Sequence, residues 1–114
     1  MKIDKSLITG STTMLILKLL SIEDMYGYQM IEELEKRSEN VFTLKAGTLY
    51  PLLHTLQQQN IISSYEQKSS NGRTRKYYHI TDIGKKAFSQ KQNEWNHYTS
   101  SVNKVLGGVH GESV

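Results

Sequence analysis

The residues best suited to chemistry in this 114-residue chain are Lys68, Arg73, Arg75 and Lys76, which surround the turn-forming stretch Ser69, Ser70, Asn71 and Gly72 with no acid among them. Such a cluster suits contact with phosphate, although a run of charge is most often a solvated surface. The formal net charge of the chain is only +3, but it is unevenly spread. Residues 1–39 hold 5 Lys or Arg against 7 Asp or Glu (net −2), residues 40–93 hold 8 against 2 (net +6), and residues 94–114 hold 1 against 2 (net −1). The positive field therefore belongs to the middle of the chain.

Other chemistries find little footing. Without cysteine there is no disulfide, thiolate metal site or thiol nucleophile. Neither a Gly-rich phosphate loop nor a G-x-S-x-G elbow is present, and His54, His79, His97 and His110 are too far apart for a helical metal pair. No enzyme activity, metal or cofactor is expected. No apolar run approaches the roughly 20 residues that span a bilayer, and the first residues lack the apolar stretch of a secretory signal. A soluble cytoplasmic protein, one small domain with a modest core, is the expectation.

The elements that must position the basic cluster follow from hydrophobic spacing. Lys5 to Leu20 reads as a first helix, its apolar residues crowding the second half. Asp24 is a plausible N-cap for a second helix over about Met25 to Ser38, with Tyr28, Ile31 and Leu34 on one face. Asn40 to Leu44 has no helical period and reads as an extended connection. A third helix then carries Leu49, Leu52, Leu53 and Leu56 as a buried stripe, which leaves Lys45, Thr48, Pro51, His54 and Thr55 on the other side. Pro51 admits two readings: a helix beginning near Ala46, with Gly47 relieving the crowding, or one beginning at Tyr50 with proline at its first position.

Asn60 is suited to closing the third helix. Ile61 to Gln67 and Lys76 to Ile80 read as two strands of a hairpin, with the basic cluster at its tip. Thr81 stands where an N-cap belongs, and a last helix can run from Asp82 to about Leu106 before Gly107 and Gly108 stop it. Within it Phe88, Trp95 and Val102 recur every seven residues, and Tyr98 and Val105 follow at d-like spacing. That seam predicts pairing with a second subunit, joined by Leu7, with packing on the chain's own first helix as the alternative.

Helix, turn, helix, basic hairpin and a fresh helix start make the layout of a winged helix-turn-helix, mainly α with a small β-hairpin (α+β) and a long C-terminal dimerisation helix. Residues 1–81 form the expected DNA-binding domain, 82–108 the dimerisation helix and 109–114 a flexible tail. A DNA-binding regulator is the leading reading. A protein-interaction module that uses the same fold without reading DNA is the alternative, against which the basic midsection argues. Single-strand or RNA binding is weaker still, because only Tyr77 and Tyr78 suggest a stacking sheet.

The stretches GTLYPLL, NIIS and NGRTRKYYHITDIG, with the tryptophan-bearing last helix, resemble the PadR family of bacterial transcriptional regulators in its short-tailed subgroup. The resemblance runs from about Ser11 to about Leu106, and it rests most on Leu49-Tyr50-Pro51 together with the stretch from Gly72 to Tyr78. It implies a homodimer, usually a repressor, on a near-palindromic double-stranded DNA operator. It further implies that Tyr28 and Tyr50 lie near the DNA backbone, that Lys45 and Thr48 are reading positions, and that Arg73, Arg75 and Lys76 form the wing. His54 joins the reading face on spacing alone. Where relatives often carry a short polar residue, this chain has Lys45, so Thr43 becomes the expected cap of the third helix. Trp95, in a matching WNHY stretch, is implied as a stacking residue for a small aromatic ligand at the dimer centre, with a packed dimer-core role as the plainer alternative.

Overall fold

The computed structural model describes residues 3–107. Helix α1 spans Lys5–Ile22, a two-residue strand β1 spans Met25–Tyr26, α2 spans Gly27–Arg37 and α3 spans Ala46–Gln58. Strands β2 (Ile62–Lys68) and β3 (Thr74–Ile80) make the hairpin, and α4 covers Asp82–Val105. The three strands form an antiparallel sheet in the order β1-β3-β2. The fold is thus α+β, as expected, with one strand more than the hydrophobic pattern shows. The tail at 109–114, the Gly108 stop and His110 lie outside the described residues.

The core gathers Ile16, Leu17, Leu19 and Leu20 of α1, Met30 and Leu34 of α2, Leu49, Leu53 and Leu56 of α3, and Met25, Ile62, Tyr78 and Ile80 of the sheet. Of the four leucines whose spacing predicts the α3 stripe, Leu49, Leu53 and Leu56 are buried and Leu52 is half-buried against the core. On α2 the buried positions are Gly27, Met30 and Leu34, with Tyr28 exposed rather than sharing the inner face with Leu34. The reason is rotational: pairing of β1 with β3 fixes where the helix begins, and spacing of three and four from Gly27 selects Met30. Helix α1 has the length and mean hydropathy, 18 residues and 1.2, that a membrane span would need. Burial of its second half in the core accounts for that apolarity.

Chain ends of the helices are handled as local chemistry requires, with two corrections. Asp24 does not cap α2, because the helix starts at Gly27, and Tyr26 holds its N-cap position without a side-chain bond. Thr43 does not cap α3 either: Lys45 is the N-cap residue, again with no side-chain bond. Helix α3 begins at Ala46, so Pro51 lies inside it with Gly47 at the preceding turn, the first of the two sequence readings. Asn60, at φ 61°, closes α3 in the left-handed region. Thr81 caps α4 by accepting from the Gly84 amide at 3.0 Å, and its hydroxyl donates to the Asn60 carbonyl at 2.7 Å.

That last junction fixes where α4 leaves the domain. Gly84 is the one buried residue of α4, and a Cβ there would overlap the Ile61 carbonyl oxygen and come within 2.8 Å of Ile80 Cγ1. Gly84→Ala gains about 1 kcal/mol of helix propensity, but the obstacle is backbone and cannot step aside. The substitution should therefore lower stability by about 1–3 kcal/mol, read as a lower urea midpoint. An unchanged or raised midpoint would show that α4 does not dock this closely in solution.

Candidate nucleic-acid interface

On α3 the burial of Leu49, Leu53 and Leu56 turns Thr48, Pro51, His54 and Thr55 to solvent, with exposed Lys45 just before the helix. The exposed face is polar and contiguous at helical spacing. Tyr50 is 40% exposed, neither free nor core. Its ring and hydroxyl lie over Gly27, at the start of α2, where any Cβ would collide with them. Tyr28, one residue further along, is 58% exposed. Tyr50 of α3 is thus seated on the glycine that precedes Tyr28 in α2.

The hairpin tip is a tight turn. The Ser69 amide donates to the Arg73 carbonyl at 2.8 Å, the Gly72 amide donates to the Ser69 carbonyl at 2.9 Å, and the Arg73 amide donates to Asn71 Oδ1 at 3.1 Å. Gly72 sits at φ 84°, where a side chain would be strained. Lys68, Arg73 and Lys76 are exposed and Arg75 is half-buried. Strand alternation divides the basic cluster that the sequence presents as one. Lys76 shares a face with Tyr78, its Nζ 5.7 Å from the ring centroid, whereas Arg75 points to the opposite face with Tyr77.

That opposite face holds an arrangement the sequence did not disclose. Tyr26 of β1 pairs with Tyr77 of β3, which pairs with Tyr65 of β2, so three tyrosines form a row across the sheet. Tyr26 meets Tyr77 edge-on at 5.5 Å, and Tyr77 stacks on Tyr65 at 5.8 Å. Arg75 places its guanidinium carbon 4.3 Å from the Tyr26 centroid, and its Nε is buried without a hydrogen-bond partner. Tyr78, which sequence reading grouped with Tyr77, is 4% exposed and belongs to the core. The tyrosine row is no open platform for bases, because its rings lean on one another and Arg75 covers one of them.

Asp24 anchors the far end of this row. Its Oδ2 accepts from the Tyr65 hydroxyl at 2.6 Å, and its Oδ1 lies 2.8 Å from His79 Nδ1. Burial pushes the Asp24 carboxyl up, but the bonds from Tyr65 and His79 and the charge of His79 outweigh it and hold it below its ordinary value. The bond to Asp24, followed by burial and the carboxylate charge, pushes the Tyr65 phenol up to about 12. Sequence reading placed Asp24 at a helix start because spacing there is ambiguous. The partners that claim it are 41 and 55 residues away.

Among the residues expected at a subunit interface, Leu7, Trp95, Tyr98 and Val105 are exposed, and Phe88 and Val102 are half-buried. Trp95 and Tyr98 lie 6.3 Å apart on α4 and face Leu7, Gly10 and Met14 of α1 across a groove of about 370 Å³. Helix α4 thus runs beside α1 of its own chain, as the alternative reading has it, while the seam stays largely uncovered. Among the described residues no group of three His, Asp or Glu has metal-binding geometry.

The family described as Transcriptional regulator PadR-like matches residues 16–90. A PadR-like transcriptional regulator of Bacillus cereus has a solved structure that is 33% identical, with a TM-score of 0.80 over 90% of this chain and 98% of that one. A transcriptional regulator from Clostridium thermocellum is 31% identical, with a TM-score of 0.79 over 87% of this chain and 96% of its own. A transcriptional regulator of Mycobacterium tuberculosis is 29% identical over 75% of this chain and 73% of its length.

The Asp24 cluster carries a pH signature. A phenol whose pKa is raised by folding adds stability that is fully present below its ordinary value of 10.0 and is lost as pH rises through about 12. Tyr65→Phe keeps the ring but removes the bond. Its denaturation midpoint should fall below that of the unmodified protein at neutral pH, with the gap closing as pH climbs above 10. A gap that does not change with pH would mean the Tyr65–Asp24 bond is not made in solution.

Proposed function

The chain belongs to the PadR-like family of transcriptional regulators, and on that premise we propose that it is a homodimeric repressor acting in the cytoplasm on a near-palindromic double-stranded operator. The observation that carries the reading is the exposed polar face of α3 followed directly by a hairpin whose tip carries cations and no acid. In this reading Lys45, Thr48 and His54 meet base edges, and Tyr28 and Tyr50 meet the sugar-phosphate backbone. Arg73, Arg75 and Lys76 neutralise phosphates and supply affinity without sequence preference.

The part of the chain before α4 acts as the DNA-binding unit and α4 as the dimerisation helix. In favour of the dimer stand Leu7 on α1 and Tyr98 and Val105 on α4, apolar residues at 62%, 60% and 86% exposure that a second subunit would cover. Two subunits would set their reading helices about one or two DNA turns apart, roughly 34 to 70 Å. The groove beside Trp95 falls within the usual size of a small-molecule site, and its indole and phenol rings suit a small aromatic ligand that releases the DNA.

Fluorescence anisotropy with DNA from upstream of the protein's own gene and a scrambled duplex, across a salt series, tests the reading. Upstream DNA should bind at least ~1000-fold more tightly at physiological salt. Arg73→Ala should weaken both duplexes alike and reduce the salt slope by about one unit, while Thr48→Ala should lose about 1–3 kcal/mol of discrimination. If neither duplex binds above background, the interaction-module reading replaces this one. Sedimentation should give twice the chain mass, falling to the monomer for the double substitution Tyr98→Asp and Val105→Asp.

A further inference from the structure

We propose that Tyr26, a residue with no place on the expected DNA surface, is a positioning residue for DNA binding: it clamps the wing arginine Arg75. The inference rests on the DNA-binding reading above. Tyr26 occupies a junction where two DNA-facing elements meet. Its ring lies under the Arg75 guanidinium at 4.3 Å, and its backbone leads into Gly27, over which Tyr50 of α3 is seated. Tyr77 braces the ring edge-on from β3, and the pairing of Tyr26 with Tyr77 holds β1 in the sheet.

The physics favours a clamp over a passive contact. An arginine on a flexible hairpin loses considerable side-chain freedom when it is held against phosphate, and a guanidinium already stacked on a ring has given up that freedom beforehand. The Nε of Arg75 is buried without a partner, so that one nitrogen is already desolvated in the free protein. Cation–π attraction to Tyr26 offsets part of that cost, and the guanidinium retains further N–H donors for an outside acceptor. The aromatic face is the necessary feature. The Tyr26 hydroxyl makes no side-chain hydrogen bond among the described residues, so phenylalanine should serve as well.

The test is a double-mutant cycle read by anisotropy on the upstream duplex and on a scrambled duplex of equal length. Tyr26→Leu should weaken both by about threefold to tenfold and reduce the salt slope by about one unit. Tyr26→Phe should restore both quantities. In an Arg75→Ala background, Tyr26→Leu should have no further effect. NMR of the free protein provides a readout independent of DNA: ring-current shifts of the Arg75 side-chain protons should vanish in Tyr26→Leu and persist in Tyr26→Phe. If the unmodified protein binds DNA and Tyr26→Leu weakens it equally with and without Arg75, or if phenylalanine fails to rescue, the clamp is overturned while the DNA-binding reading stands. If the unmodified protein binds neither duplex, both fall.

Discussion

Pairing between a two-residue strand and the hairpin governs this structure. Met25 opposite Tyr78 and Tyr26 opposite Tyr77 are the whole of the β1–β3 register, yet alternation across so short a strand sends Met25 into the core and Tyr26 to the outer sheet face. Because α2 starts at the next residue, that register also sets the rotation of α2, which residues it buries, and where Gly27 receives Tyr50. A slip of one residue would put Met25 in water and Tyr26 in the core. Asp24 guards against it, bonding to β2 through Tyr65 and to β3 through His79 just ahead of the strand.

The rest of the domain is built outward from that junction. Leucines from α1 and α3 and the inner face of the sheet form a core that is small, as the chain length demands. The polar face of α3 is what remains after its leucines are buried. Helix α4 is different in kind. Its first turn docks where Gly84 lies against the Ile61 carbonyl, Phe88 packs on the edge of the core, and further along Trp95 and Tyr98 face α1 across a groove. Beyond Phe88 its apolar seam adds little to the core of its own chain, and Trp95, Tyr98 and Val105 stay exposed.

Much of this was legible in the sequence, because it depends on interactions within a few residues. Leucine spacing gave the buried stripe of α3, Asn60 its close, and Thr81 the start of α4. The turn residues Ser69 to Gly72 marked the hairpin tip, though β3 starts at Thr74, two residues earlier than its hydrophobic pattern suggests. Charge counting located the positive field. Family motifs carried the identity of the fold, since Leu49-Tyr50-Pro51 and the Gly72–Tyr78 stretch lie inside the matched region.

What the sequence by itself determined, then, was the order of helices and hairpin and the location of positive charge, since both follow from local spacing and composition. Tertiary structure alone decided how those residues are partnered. A strand as short as β1 has no periodicity to detect, and Asp24 offers the same local signal to a helix start as to a distant tyrosine. Arg75 and Lys76, neighbours in a single basic run, are separated by strand alternation onto opposite faces. Tyr26, Tyr65 and Tyr77 become a row only when three strands align, because contacts between residues distant in sequence depend on register, and register is fixed by the whole core.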